Sequence, residues 1–214
     1  MKHYDKESVA LAVALSTLAG FVDALGYLHL SGFFISFMSG NSTRLGVSLA
    51  QGQWRITETA GAIIAIFVVG VVAGSLLGEL SGEARRRNVL ALETLLLCAA
   101  AGLQGLGHAP VAMAAAVLAL GAENAVFERD GDIGIGLTYM TGALTKMGAR
   151  LASALLGGEP WDWVRYLLLW LGLVAGGIAG AHVFAWIGLN GLWIAAAVAA
   201  GFAALVAISP KLQQ

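Results

Sequence analysis

Six stretches of this chain, at roughly 8–28, 59–80, 88–107, 110–128, 163–187 and 190–208, each run for about twenty residues with almost no charge. An α-helix rises 1.5 Å per residue, so some twenty apolar residues cross the ~30 Å hydrocarbon core of a bilayer. Hydrocarbon offers a backbone N–H or C=O no partner, so a spanning segment must be a helix or part of a closed barrel. These runs are too long for barrel strands. The sequence therefore predicts an all-α integral membrane protein with six full crossings. Charge agrees: 12% of the 214 residues are charged, against about 25% in soluble domains. The first residues, MKHYDKES, mix Lys2 and Lys6 with Asp5 and Glu7. The apolar run after them continues past any plausible cleavage site, so it reads as a retained helix and not a removed signal.

A formal net charge of −1 leaves no nucleic-acid footprint. Cys98 is the single cysteine. It can form no internal disulfide, no metal-ligand cluster accompanies it, and an apolar setting predicts a buried, inert thiol. No nucleophile elbow, phosphate loop or HExxH string occurs, so the expectation is a protein that is not an enzyme and carries no cofactor.

Two further segments, roughly 33–51 and 136–156, are apolar but interrupted by small polar residues. They contain similar strings, SFMSGNSTRLGVSLAQG and TYMTGALTKMGARLASA. At an offset of 102, Met38 falls on Met140, Gly40 on Gly142, Thr43 on Thr145, Gly46 on Gly148, Leu49 on Leu151 and Ala50 on Ala152. Gly70, Gly74 and Gly78 fall on Gly172, Gly176 and Gly180, and Asn88 on Asn190. Upstream the offset is 101, and Gly20, Asp23 and Ala24 fall on Gly121, Asn124 and Ala125. This pattern predicts two internal repeats, 1–107 and 108–214, within one integrated membrane domain.

The repeats are parallel if each crosses an even number of times and inverted if odd. The densest basic loop, Arg85-Arg86-Arg87, is expected in the cytoplasm with both termini and Lys211. That holds only if segments 33–51 and 136–156 do not cross fully. The reading is six crossings, two interrupted or re-entrant segments, and inverted-topology repeats. The two glycine ladders present small faces that let helices approach closely in lipid. They are expected to pack on each other or on the re-entrant segments, with a homo-oligomer face as the alternative.

The strings GFVDALGYLHLSGFFISFMSGN, GAENA and TYMTGALT together resemble the bacterial YoaK family, also called DUF1275. The resemblance covers nearly the whole chain. It implies a small multi-pass protein of the bacterial plasma membrane, and it brings no biochemical role. Ser39 stands where the family pattern has threonine, and Glu123 where it has glutamine.

Asp23 sits deep in the first apolar run, where an ionisable group is costly unless paired or wetted. Its counterpart is Asn124, beside Glu123. These residues read either as a midplane site between repeats or as a buried network that locks the helices. Ser39, Gly40, Asn41, Thr141 and Gly142 read as helix breaks whose exposed backbone groups bind an ion or polar solute, or as tight crossings. Arg44 and Lys146, one turn beyond the glycines, either hold an anion, pair with the carboxylates, or snorkel to the interface. Glu79 and Glu93 are expected to pair with the arginine loop. Tyr27, His29 and His182 are possible cavity residues, and Trp54, Trp161 and Trp163 fit an aromatic belt. The expected function is a small secondary transporter or channel for an ion or small polar solute. The alternatives are a non-transporting scaffold or partner subunit and, more weakly, a lipid-binding role.

Overall fold

A computed structural model of the chain describes residues 5–129, 132–133, 135–209 and 212. Lys2 and Lys211, used above to place the termini, lie outside them. The helices are α1 (Lys6–His29), α2 (Met38–Ala50), α3 (Trp54–Ser81), α4 (Arg85–Gly105), α5 (Ala109–Glu123), α6 (Met140–Leu155), α7 (Val164–Ile187) and α8 (Leu192–Ile208). α5 continues as a 3-10 turn, Asn124–Phe127. Among the described residues the only strand pairing is two residues long, Glu128–Arg129 against Asp132–Ile133.

Four continuous helical stretches are long and apolar enough to cross a membrane: Lys6–His29, Trp54–Gly105, Ala109–Phe127 and Val164–Ile208. The second and fourth each hold two helices, separated by 3-10 turns that begin at Gly82 and Gly188. Both glycines adopt positive φ, +54° and +58°, where a side chain would be strained. The six long helices match the six predicted runs. α2 and α6 have 13 and 16 residues, and neither lies in any of these four stretches.

Two side-chain contacts and the chain's own connections fix the helix directions. Arg86, in the first turn of α4, donates to Ser8 Oγ at the start of α1 (3.1 Å) and to the Leu212 carbonyl beyond α8 (3.2 Å). The starts of α1 and α4 and the end of α8 therefore share one end of the bundle, called here the amino-terminal end. α3 leads into α4 through a three-residue turn, so α3 also finishes there and begins at the far end. α1 finishes at the far end too. α2, between them, leaves and returns on that side without adding a crossing.

The second half is built the other way up. On α3, Gly70 meets Leu118 and Gly74 meets Ala122. α3 and α5 thus run parallel, and α5 finishes at the amino-terminal end. On α7, Gly172 meets Val13 and Thr17, and Gly180 meets Phe21 and Ala24. α1 and α7 are parallel, so α7 starts at the amino-terminal end. α6, between α5 and α7, leaves and returns on that side.

The glycine ladders do not pack on each other or on the short helices. Gly70 and Gly74 lie against the α5 backbone, Gly78 against the Arg85 side chain, and Gly172, Gly176 and Gly180 against α1. All six faces are covered within the chain, so none is open to a second copy. A β-carbon on Gly74 would fall 2.6 Å from the Ala122 carbonyl oxygen. Close backbone approach of this kind gains dispersion contact where burial from water contributes nothing.

The expectation of a buried thiol is corrected. Cys98 is exposed on the lateral surface and not buried, because α4 turns its Val89, Leu90 and Leu97 side inward. Of the three arginines, Arg86 is buried and stacks 4.9 Å from the Phe127 ring centre. Arg85 pairs with Glu79 and lies 3.5 Å from Glu128. Only Arg87 is exposed.

Candidate functional site

α1 carries Asp23 six residues before its end. The segment after α1 folds back along it and delivers three donors to this one carboxyl. Asp23 Oδ1 accepts from the Ile35 and Ser36 backbone N–H groups (2.7 and 2.8 Å), and Oδ2 accepts from Ser36 Oγ (2.5 Å). Asn41 holds the tip from the other side. Its Oδ1 accepts from Phe34 N–H (3.1 Å) and its Nδ2 donates to the Phe34 carbonyl (2.8 Å). Asn41 is fully buried, so its two amide groups replace the backbone pairing that Phe34 lacks outside a helix. Arg44, further along α2, donates to the Ser31 and Gly32 carbonyls and lies 3.9 Å over the Phe33 ring. It pins the loop and does not pair with Asp23.

The second tip repeats the plan with neutral groups. Thr138 Oγ1 donates to Asn124 Oδ1 (3.2 Å), and Asn124 Nδ2 donates to the Leu120 carbonyl (2.9 Å). Ser36 and Thr138 each stand two residues before their short helix, ahead of Met38 and Met140. Each bonds the polar residue of the preceding long helix. These two hydroxyls were missed in the sequence, although the 102-residue offset that aligns the methionines also aligns them.

Both tips reach one cavity of about 570 Å³ between α1 and α7. Asp23 and Tyr27 from α1, Phe34 and Phe37 from the first tip, and Thr138 and Met140 from the second line it. Tyr27 and Phe34 have ring centres 4.9 Å apart, and Phe34 and Phe37 meet edge-to-face at 5.2 Å. The walls are mostly apolar, and no basic side chain is among the lining residues. Asp23 borders this space directly, whereas Asn124 does not line it and is bonded to Thr138, which does.

Glu123 is not on this cavity. It is fully buried, as is Glu93 of α4, which packs against α5. The four carboxyl oxygens of these two residues have no hydrogen-bond partner. Glu93, Glu123 and Asp23 are close enough to interact electrostatically. The expected pairing of Glu93 with the arginine loop is overturned, whereas Glu79 does pair with Arg85. The missed signal was depth: Glu93 lies eight residues into α4, about 12 Å from its start.

The remaining sequence candidates stand apart. Ser39 and Thr141 are exposed, and their carbonyls accept from Thr43 and Thr145 of their own helices. Gly40 and Gly142 are not breaks. They lie in the first turns of α2 and α6, and the chain breaks before them. A β-carbon on Gly40 would fall 2.6 Å from the Phe37 ring, and one on Gly142 would strike the Tyr139 ring. Their small size makes room for an aromatic ring three residues earlier. Lys146 is exposed on α6. His182 is exposed and bonded to the Ile178 carbonyl (2.8 Å). Among the described residues no group of histidines, cysteines and acids has the arrangement of a metal site.

Six long apolar helices with two short ones that turn back define a multi-pass membrane protein. The chain belongs to the family described as "Protein of unknown function (DUF1275)", whose model matches residues 11–206. It is similar to UPF0700 transmembrane protein RA0705 of Rhizobium meliloti (strain 1021), with 34% identity over 186 residues, 87% of this chain and 80% of that protein. No solved structure matches it.

Proposed function

We propose that this protein is a small secondary transporter or channel of the bacterial inner membrane, with its solute site in the cavity beside Asp23. The carrying observation is that both re-entrant tips, entering from opposite ends, reach the same cavity. In transporters built from inverted repeats, the site lies where discontinuous helices of the two halves meet. The matching arrangement of Asp23 with Ser36 and Asn124 with Thr138 supports reading the halves as such repeats. The amino-terminal end, with exposed Arg87, is taken as cytoplasmic. Glu93 and Glu123 would carry protons for coupling, since a buried acid with no partner is far cheaper to keep protonated than charged.

The competing reading is a non-transporting scaffold. It is favoured by the hydrogen bonds that already occupy Asp23 and Asn41. Thiol labelling separates the two. With Cys98 replaced by alanine, Thr138→Cys and Ala24→Cys should react with a small, membrane-impermeant thiol reagent. Transport requires reaction from both faces, in intact cells and in inverted vesicles. Reaction from neither face would leave the scaffold standing.

A further inference from the structure

Asp23 lines a cavity whose other walls are almost entirely hydrocarbon and aromatic. Three rings, of Tyr27, Phe34 and Phe37, form a chain with successive centres 4.9 and 5.2 Å apart. Asp23 and Tyr27 are one helical turn apart on α1 and border the same space. The donors on Asp23 are neutral: two backbone N–H groups and one serine hydroxyl. Among the described residues no lysine, arginine or histidine lines the space. Arg44, the nearest basic residue on the tip, is turned away to the Ser31 and Gly32 carbonyls.

We propose that the cavity beside Asp23 binds an organic cation with an apolar body. This rests on the transport reading and names the substrate class of the same site. Aromatic faces attract a positive group through their ring quadrupole, most strongly when it is desolvated. A carboxylate with only neutral donors supplies the opposite charge. Met140 and the α7 residues Leu173 and Val174 give an apolar body contact that a hydrated inorganic ion could not use. A volume near 570 Å³ lies within the range of small-molecule pockets, about 300–1,000 Å³. An anion would face Asp23 with nothing to neutralise it, and a neutral polar solute would find few hydrogen-bond partners. The organic cation is the class that both the charge and the walls favour.

The test is binding of tetraphenylphosphonium to the full chain in nanodiscs of zwitterionic lipid, with empty nanodiscs as background. Tetraphenylborate, of the same shape and opposite charge, is measured in separate samples, since the two ions precipitate together. Saturable binding of the cation is expected, and none of the anion. Asp23→Asn should weaken binding at least about tenfold, the equivalent of ~1.4 kcal/mol. Phe37→Leu, which leaves the Asp23 hydrogen bonds in place, should weaken it roughly two- to fivefold, the effect of losing one cation–π contact. Each variant is first checked for monodisperse elution. Binding no greater than to empty nanodiscs overturns the proposal, as does full affinity in Asp23→Asn. Equal saturable binding of tetraphenylborate in its own samples would also overturn it by showing an apolar cavity without charge selection. If thiols in the cavity are reachable from both faces but the cation does not bind, the substrate class fails and the transport reading survives. If they are reachable from neither face, the transport reading fails by itself.

Discussion

Ser36 donates its hydroxyl to Asp23 across 2.5 Å, tying the tip of the first re-entrant segment to the interior of α1. Ser36 N–H and Ile35 N–H converge on the same carboxyl, so one acidic side chain satisfies a bend that lies within the membrane-spanning region. Ser36→Ala should lower stability by about 1.5–3 kcal/mol, the usual worth of a hydrogen bond to a charged group. Thermal unfolding in detergent measures this. Ser36→Thr keeps a hydroxyl, as Thr138 does in the second half, and should recover most of the loss.

Glu93 and Glu123 are fully buried with no partner for any carboxyl oxygen. Replacing either with glutamine breaks no hydrogen bond and removes an ionisable group from the interior. Glu93→Gln and Glu123→Gln are expected to unfold within about 1 kcal/mol of the parent, or above it, because an uncompensated buried charge is a liability. If they couple protons, the same variants lose pH-driven flux in proteoliposomes while their unfolding temperatures hold. A loss of several degrees in both would mark them as structural.

Gly74 and Gly176 test the close helix crossings. Gly74→Leu pushes a side chain into the Ala122 backbone, and Gly176→Leu into Thr17. Each should cost about 1–3 kcal/mol or more, since backbone cannot rotate away as a side chain can. Gly46 and Gly201 have open space around their α-carbons. Alanine there should be neutral or stabilise by up to about 1 kcal/mol through helix propensity. Unfolding midpoints of the four variants separate packing glycines from permissive ones.

Asp5 caps α1 by accepting from Ser8 N–H at 2.8 Å. The hydrogen bonds from Ser8 hold its carboxyl below the ordinary value of 3.8. A carboxyl depressed on folding stabilises the fold above its unfolded value, and the contribution is lost as pH falls through the folded value. Acidification below about pH 4 should therefore lower the protection of the Ser8 amide relative to its intrinsic exchange rate at the same pH. Asp5→Asn, which caps nearly as well, should remove that pH dependence. Protection lost equally in the variant would mean that another group titrates.

The directions of the helices predict which sites share a face. Single cysteines at Gln53 and Arg87, both exposed, should react with impermeant reagent from opposite sides of the membrane. Labelling of both from one side would mean that α2 crosses after all.

The sequence by itself determined the solvent and the elements. Hydrocarbon leaves a nearly charge-free run of about twenty residues, too long for a barrel strand, one choice, the helix, and all six such runs form one. The interrupted segments were legible by their polar residues, because polarity is a local quantity, whereas only the structure showed their helices to be as short as 13 and 16 residues. Asp23, Asn41 and Asn124 were legible for the same reason: a polar group at depth must be answered somewhere. What answers it was not legible. Ser36 and Thr138 became partners only when the chain doubled back. Glu93 looked like a neighbour of the arginines because it is near them in sequence, but α4 turns it inward toward α5. Gly40 and Gly142 drew attention as breaks, although their role depends on where the Phe37 and Tyr139 rings fall. The glycine ladders announced a close contact without naming its partner, since a small face suits any backbone. Periodicity fixes which residues share a side of a helix, whereas the neighbour on that side is set by how eight helices pack at once.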